Sequence, residues 1–64
     1  MSENDIVVFM YKGGRFVKGK VIKLYPLGFE LLLYTDYIGK NEEWDIGTIK
    51  SFNINETKEL HIIK

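Results

Sequence analysis

Residues 6–24 read IVVFMYKGGRFVKGKVIKL, two runs of strand-forming residues on either side of a glycine-rich turn. Ile6 to Tyr11 is an unbroken apolar run, as expected of a strand that is covered on both faces or that closes a barrel. Lys12-Gly13-Gly14 predicts a hairpin turn, because glycine adopts positive φ at little steric cost. Arg15 to Leu24 then predicts one long second strand, so the whole segment predicts a β-hairpin.

The second strand alternates between two kinds of residue and contains an internal glycine. Val17, Gly19 and Val21 face one way, whereas Lys18 and Lys20 face the other. A glycine inside a strand indicates a sharp bend or a close approach of another backbone, which is the usual means of curling a sheet. We therefore expect a strongly bent sheet.

The rest of the chain also divides into pieces of strand length. It contains no Ala and no Gln, but eight Ile, four Val and nine aromatic residues, which favours strands over helices. We predict further strands at Phe29–Thr35, Glu42–Ile46, Thr48–Ile54 and Leu60–Ile63, a loop at Tyr37–Asn41 and a turn at Asn55-Glu56-Thr57. This pattern predicts an all-β fold, a small five- to six-stranded, strongly bent SH3-like barrel over residues 6–64, after a disordered tail at residues 1–5.

Length and composition exclude several classes of protein. The 64 residues are enough for one small domain, and nine basic residues balance nine acidic ones to give a net charge of +0. The absence of cysteine excludes disulfides, a thiolate nucleophile and cysteine-ligated metal sites. With no signal-peptide pattern and no long apolar run, we expect a cytoplasmic chain with no membrane partner.

The sequence also lacks the patterns of a catalytic or metal site. His61 is the only histidine, and a partly buried or edge position is its ordinary role. Glu42 and Glu43 are adjacent, so on a strand they point to opposite faces and cannot act as a carboxylate pair. Lys12-Gly13-Gly14-Arg15 lacks the spacing of a phosphate-binding P-loop. We expect no enzyme, no cofactor and no metal site.

The net charge of zero hides a segregation of charge along the chain. Residues 12–23 contain five basic residues and no acid, whereas residues 30–45 contain five acids against Lys40 alone. The first block predicts a strip that contacts RNA or single-stranded DNA, with phosphates on the basic side chains and a base on an aromatic ring. Its residues are Lys12, Arg15, Phe16, Lys18 and Lys20. Alternatively, these lysines are the ordinary outward residues of a two-faced strand.

The acidic block leads to a second functional hypothesis, a protein-interaction or self-assembly module. Glu42, Glu43 and Asp45 could complement the basic strip of another copy, which would give a homo-oligomer. Tyr37 and Trp44 flank the loop of the same hairpin and are candidates for an exposed aromatic contact, while most other aromatic residues are expected in the core. Alternatively, the acids are simply the solvated side of the hairpin.

The order of these segments resembles the Sm/Hfq-like family of small RNA-associated barrels. The similar residues are Val7–Tyr11, Gly13–Val21, with its internal glycine, Phe29–Leu33 and Thr48–Phe52. The resemblance implies ring-like oligomers and binding of single-stranded RNA. Asp45-Ile46-Gly47 stands where the family has its Tyr-Lys-His signature, so the family's uridine-binding residues are not carried over to this chain.

Overall fold

The computed structural model describes residues 1–63, and its strands all pair antiparallel. Within these residues the strands are β1 (Ile6–Tyr11), β2 (Arg15–Tyr25), β3 (Gly28–Leu33), β4 (Tyr37–Ile38), β5 (Glu43–Trp44), β6 (Ile49–Asn53) and β7 (Lys58–Ile63). Two 3-10 turns, Lys12–Gly14 and Ile54–Glu56, join β1 to β2 and β6 to β7. No helix in this part of the chain is long and apolar enough to cross a lipid bilayer. The all-β prediction is confirmed.

Five strands form one bent sheet in the order β6-β3-β2-β1-β7, and β4 and β5 form a separate small hairpin. The long strand β2 has two neighbours: β1 pairs with its first half and β3 with its second. Gly19 lies where the two pairings overlap, opposite Val7 on one side and Leu33 on the other. Among residues 1–63 the edge strands β6 and β7 do not pair with each other, so the sheet is barrel-like without being closed.

The core lies on the concave side of this sheet. Its buried residues alternate along the strands, and they are Val7, Phe9, Tyr11, Val17, Val21, Phe29, Leu31, Leu33, Tyr37, Trp44 and Phe52. The predicted alternation of β2 is therefore confirmed, with Val17, Gly19 and Val21 on the buried face. The apolar run of β1 predicted a strand covered on both faces or one that closes a barrel, and the first alternative does not hold: Ile6, Val8 and Met10 are only half-buried, because within residues 1–63 no layer packs over the outside of the sheet.

The segment between β3 and β6 differs most from the sequence-based boundaries. The predicted loop at Tyr37–Asn41 begins with β4, and the predicted strand at Glu42–Ile46 is reduced to the two residues of β5. The chain turns after β5 because Gly47 adopts a φ of +92° and donates its N–H to the Leu33 carbonyl. Leu33 in turn donates to the Thr48 carbonyl, so this turn is attached to the end of β3.

Residues 1–5, for which the sequence predicts a disordered tail, make hydrogen bonds to β2 and to one another. The Asn4 N–H donates to the Val21 carbonyl at 2.7 Å, and the Val21 N–H donates to the Asp5 carbonyl at 2.8 Å. The Ser2 N–H donates to the Asp5 carboxylate at 2.8 Å. These bonds extend the pairing of β1 with β2 by two residues on the N-terminal side of Ile6, to Asn4 and Asp5.

Replacing Gly19 by Ala tests the importance of the bend in β2. A Cβ atom at this position would lie 2.5 Å from the Leu32 carbonyl oxygen and would also overlap the Leu31 side chain. We expect the free energy of unfolding to fall by about 1–3 kcal/mol, as for other overpacked positions. Urea denaturation measures it, with the outward-facing Ser51→Ala as a control that should change by less than about 0.5 kcal/mol. An unchanged midpoint for Gly19→Ala would contradict this account.

Candidate functional site

The outside of the sheet formed by β7, β1 and β2 is the candidate site, and we call it the outer face. Directly paired residues of antiparallel strands share a face, so the register of the three strands defines its members. They are Phe16, Lys18 and Lys20 of β2, Ile6, Val8 and Met10 of β1, and Lys58, His61 and Ile63 of β7. In one cross-strand row, for example, Lys18 lies opposite Val8, which lies opposite His61.

The outer face is basic, and its aromatic ring is open to solvent. Phe16 is 65% exposed, and Lys18 and Lys58 are also exposed, whereas Lys20 is half-buried. None of the nine outward positions carries a carboxylate, and the exposed Glu59 lies in the bulge of β7 between Lys58 and His61, where the register gives it no partner. Within residues 1–63 the three lysines form no ion pair. The ammonium groups are therefore available to an anionic ligand.

A second aromatic residue, Tyr34, adjoins the outer face on the β3 side of β2. The Tyr34 N–H donates to the Lys18 carbonyl at 2.8 Å, and the pairing of Gly19 with Leu33 places Tyr34 opposite Lys18. Because Leu33 is buried, its neighbour Tyr34 points outward, and it is 39% exposed. Tyr34 was not predicted as a site residue, because most aromatic residues were expected in the core. Buried and outward-facing residues alternate along β3, and extending this alternation by one residue past Leu33 predicts an outward-facing Tyr34.

The five residues of the predicted nucleic-acid strip do not form one surface. Phe16, Lys18 and Lys20 do lie together, as expected from their alternation. Lys12, by contrast, is at the hairpin end with its Nζ 3.1 Å from a Glu42 carboxylate oxygen. The Arg15 guanidinium lies over the Tyr37 ring, 5.4 Å from its centroid, and donates to the Ile38 carbonyl. Arg15 is separated from the strip because it pairs with the inward-facing Tyr11. Lys12 is separated because it lies in the turn before β2.

The expectation that Tyr37 and Trp44 are exposed is wrong. They are only 5% and 6% exposed, and their rings stack in parallel with centroids 4.5 Å apart. The Trp44 Nε1–H donates to the Thr35 carbonyl at 3.1 Å. The β4–β5 hairpin folds over one end of the barrel, so that both rings pack on Tyr11 and Trp44 also packs on Phe52. The two residues complete the core and do not offer an exposed aromatic contact.

A polar cluster around Glu42 lies beside these buried rings. Tyr11 donates its hydroxyl to the Glu42 carboxylate at 2.9 Å, and the Nζ atoms of Lys12 and Lys50 each lie 3.1 Å from it. The Lys50 ammonium also lies over the rings of Trp44 and Phe52, at 5.4 and 5.6 Å from their centroids. This cluster joins the hairpin loop to β1 and β6.

The contacts of Glu42 change the acidity of the groups involved. Partial burial raises the pKa of Glu42, but the hydrogen bonds from Lys12, Tyr11 and Lys50 outweigh it and lower the pKa to about 2. Burial and the neighbouring carboxylate raise the pKa of Tyr11 to about 12. The hydrogen bond to Glu42 also raises the pKa of Lys12. Glu42 is thus ionised and Tyr11 protonated at neutral pH.

The Glu42 cluster has the character of a structural anchor. Its carboxylate is contacted by Tyr11, Lys12 and Lys50 within the fold, and its part in a contact with another copy stays a prediction. Glu43 and Asp45 are exposed, and their role in association stays a prediction. Among residues 1–63 no group of three or more His, Asp or Glu side chains is arranged to hold a metal ion.

Comparisons with protein-family models, with curated proteins and with solved structures found no match for this chain. The resemblance to the Sm/Hfq-like barrels therefore stays a prediction, as do the ring-like assembly and RNA binding that it implies. The same fold supports many unrelated functions. Function is accordingly inferred from the chemistry of the outer face.

Replacing Glu42 by Gln tests the anchor. At about pH 7 we expect the free energy of unfolding to fall by about 1–3 kcal/mol, because a charged acceptor of three donors becomes a neutral amide. The pKa of Glu42 is lowered on folding, from 4.5 to about 2, so its contribution is complete above pH 4.5 and is lost as the pH falls toward 2. Urea denaturation of wild type and Glu42→Gln should show that the difference in their free energies of unfolding shrinks as the pH falls over that range.

The neighbouring Glu43→Gln is the matched control for this measurement. Glu43 is exposed, and its substitution should change the free energy of unfolding by less than about 0.5 kcal/mol. A difference between wild type and Glu42→Gln that is equally large at pH 7 and near pH 2 would show that the carboxylate charge is not what stabilises the hairpin.

Proposed function

We propose that this chain is a non-catalytic module that binds single-stranded nucleic acid, RNA or single-stranded DNA, on its outer face. One observation carries the proposal: an exposed aromatic ring, Phe16, shares the outer face with Lys18, Lys20 and Lys58, none of which has an ion-pair partner within residues 1–63. Lys12 and Arg15 are secondary in this proposal, because their charged groups already contact Glu42 and Tyr37.

The chemistry of the outer face suits an unpaired strand. Ammonium groups contact the phosphate backbone without regard to sequence, and an exposed ring stacks on a base. Such stacking requires a base whose face is free, which favours single strands, loops or ends over a duplex. The outer face is the convex side of the bent sheet and spreads these groups over several ångströms, so the ligand is a short extended segment of backbone and bases.

The same surface has a second interpretation, as a protein-binding or self-association face. Between the lysines lie half-buried apolar residues, Ile6, Val8 and Met10, which would also suit an apolar partner. The Tyr37–Trp44 hairpin does not support this candidate, since both rings are buried. The two functions differ in the role of the lysines, which contact phosphates in the first and lie at the rim of an apolar contact in the second.

Replacing Lys18 by Glu distinguishes the two. We expect the affinity for fluorescein-labelled oligo(dT) and oligo(rU), measured by anisotropy at low salt, to fall by about tenfold or more, because one phosphate contact becomes a repulsion. For wild type, contacts from three lysines predict a slope of about −2 in a plot of log affinity against log salt. Lys40→Glu, an equal charge change in the exposed β4–β5 loop, is the matched control and should bind like wild type.

The proposal fails if wild-type protein shows no binding to either oligomer at low salt. It also fails if Lys18→Glu and Lys40→Glu weaken binding equally, since the effect would then reflect net charge instead of the outer face. Light scattering on the same samples tests the protein-interaction function. Self-association that survives Lys18→Glu, in the absence of any oligonucleotide binding, would favour that function.

A further inference from the structure

We infer that Phe16 and Tyr34 are the two rings of a stacking site for two unpaired bases, with the Lys18 ammonium beside both rings for the connecting phosphate. The inference rests on the proposed function and specifies its ligand. That ligand is an unpaired stretch of at least two nucleotides, recognised without reading base identity, because every base has a face that can stack.

The strand register makes both rings neighbours of Lys18, one along β2 and the other across from it. Phe16 is two residues before Lys18 on the same face of β2, and Tyr34 lies directly opposite Lys18 in the continuation of β3. Diagonal neighbours of this kind are about 7–8 Å apart on a sheet. The two rings can therefore each hold one base of a single backbone segment whose phosphate lies near Lys18.

The two rings differ from the aromatic residues of the core in having free surfaces. Within residues 1–63 neither Phe16 nor Tyr34 packs against another aromatic ring, whereas each core aromatic residue packs against at least one. The hydroxyl groups of the other three tyrosines donate to Glu42, Glu30 and the Lys12 carbonyl. Over the same residues the Tyr34 hydroxyl makes no such bond. Both rings therefore keep surface that another ring could contact.

Lys18 also differs from four other basic residues of the chain. Lys12, Arg15, Lys23 and Lys50 each lie over an aromatic ring of this chain. Lys18 has neither such a ring nor an acid partner among the described residues, although two rings are near it on the sheet. Its backbone is fixed on the β3 side, where its N–H donates to Thr35 Oγ1 and its carbonyl accepts from Tyr34. The charged group thus extends from a rigid position toward solvent.

The test compares Phe16→Ala and Tyr34→Ala with wild type in anisotropy titrations of labelled oligo(dT). Loss of one ring should weaken binding by about five- to hundredfold, and Tyr34→Phe, which keeps the ring, should bind like wild type. Tyr25→Ala is the matched control: Tyr25 is similarly exposed, at 42%, but it lies at the β2–β3 turn away from Lys18. Its substitution should leave the affinity unchanged.

A second arm separates stacking from a loss of folded structure. An oligomer of the same length with abasic sites throughout keeps the phosphates and removes the bases. Wild type, Phe16→Ala and Tyr34→Ala should all bind this oligomer with the same weak affinity, because only phosphate contacts remain. A variant that had merely unfolded would bind the abasic oligomer less well than wild type.

The outcomes separate this inference from the proposed function. If wild type binds oligo(dT) and Phe16→Ala is weakened but Tyr34→Ala is not, the two-ring site is wrong and the proposed function stands. If wild type binds no oligomer at low salt, both fail. If the alanine variants change the mass measured by light scattering and leave oligonucleotide binding unaltered, the rings belong to a contact between copies, which overturns the inference.

Discussion

The close packing of β3 against Gly19 is the constraint on which the rest of the fold depends. At this residue β2 has paired strands on both sides, and the space that a side chain would occupy is filled by Leu31 and by the Leu32 carbonyl. Because glycine fits there, one strand can belong to both halves of a bent sheet. The core on one side of β2 and the basic outer face on the other are two consequences of that geometry.

The bent sheet leaves one end of the core open, and the β4–β5 hairpin covers it. Trp44 and Tyr37 supply large apolar area there, and their edges meet Tyr11 in tilted and edge-to-face contacts. A buried tyrosine hydroxyl needs an acceptor, and Glu42 provides it for Tyr11 while also binding two lysines. Apolar burial thus holds the hairpin in place, and the carboxylate satisfies the polar groups that come with it.

The parts of this structure that follow from local alternation could be predicted, and those that follow from long-range register could not. Val17, Val21 and the inward residues of β3 are evident from a period of two, as is the shared face of Phe16, Lys18 and Lys20. The exposure of Trp44 could not be judged in this way, because its burial depends on Tyr11, 33 residues earlier. Lys58 joins the outer face only through the pairing of β7 with β1, which no local pattern specifies.

The balance of charge in this chain says little about its ability to bind a polyanion. Screening at physiological salt limits the influence of exposed charges to about 8 Å, so a bound phosphate responds to the groups beside it and not to the sum over the molecule. Glu42 is compensated at the barrel end by Lys12 and Lys50, and those lysines contribute little elsewhere. The outer face keeps Lys18, Lys20 and Lys58 without a neighbouring acid at any outward position. A protein with a net charge of +0 can therefore present a locally cationic surface, because folding pairs some of its charges internally and leaves others on one face.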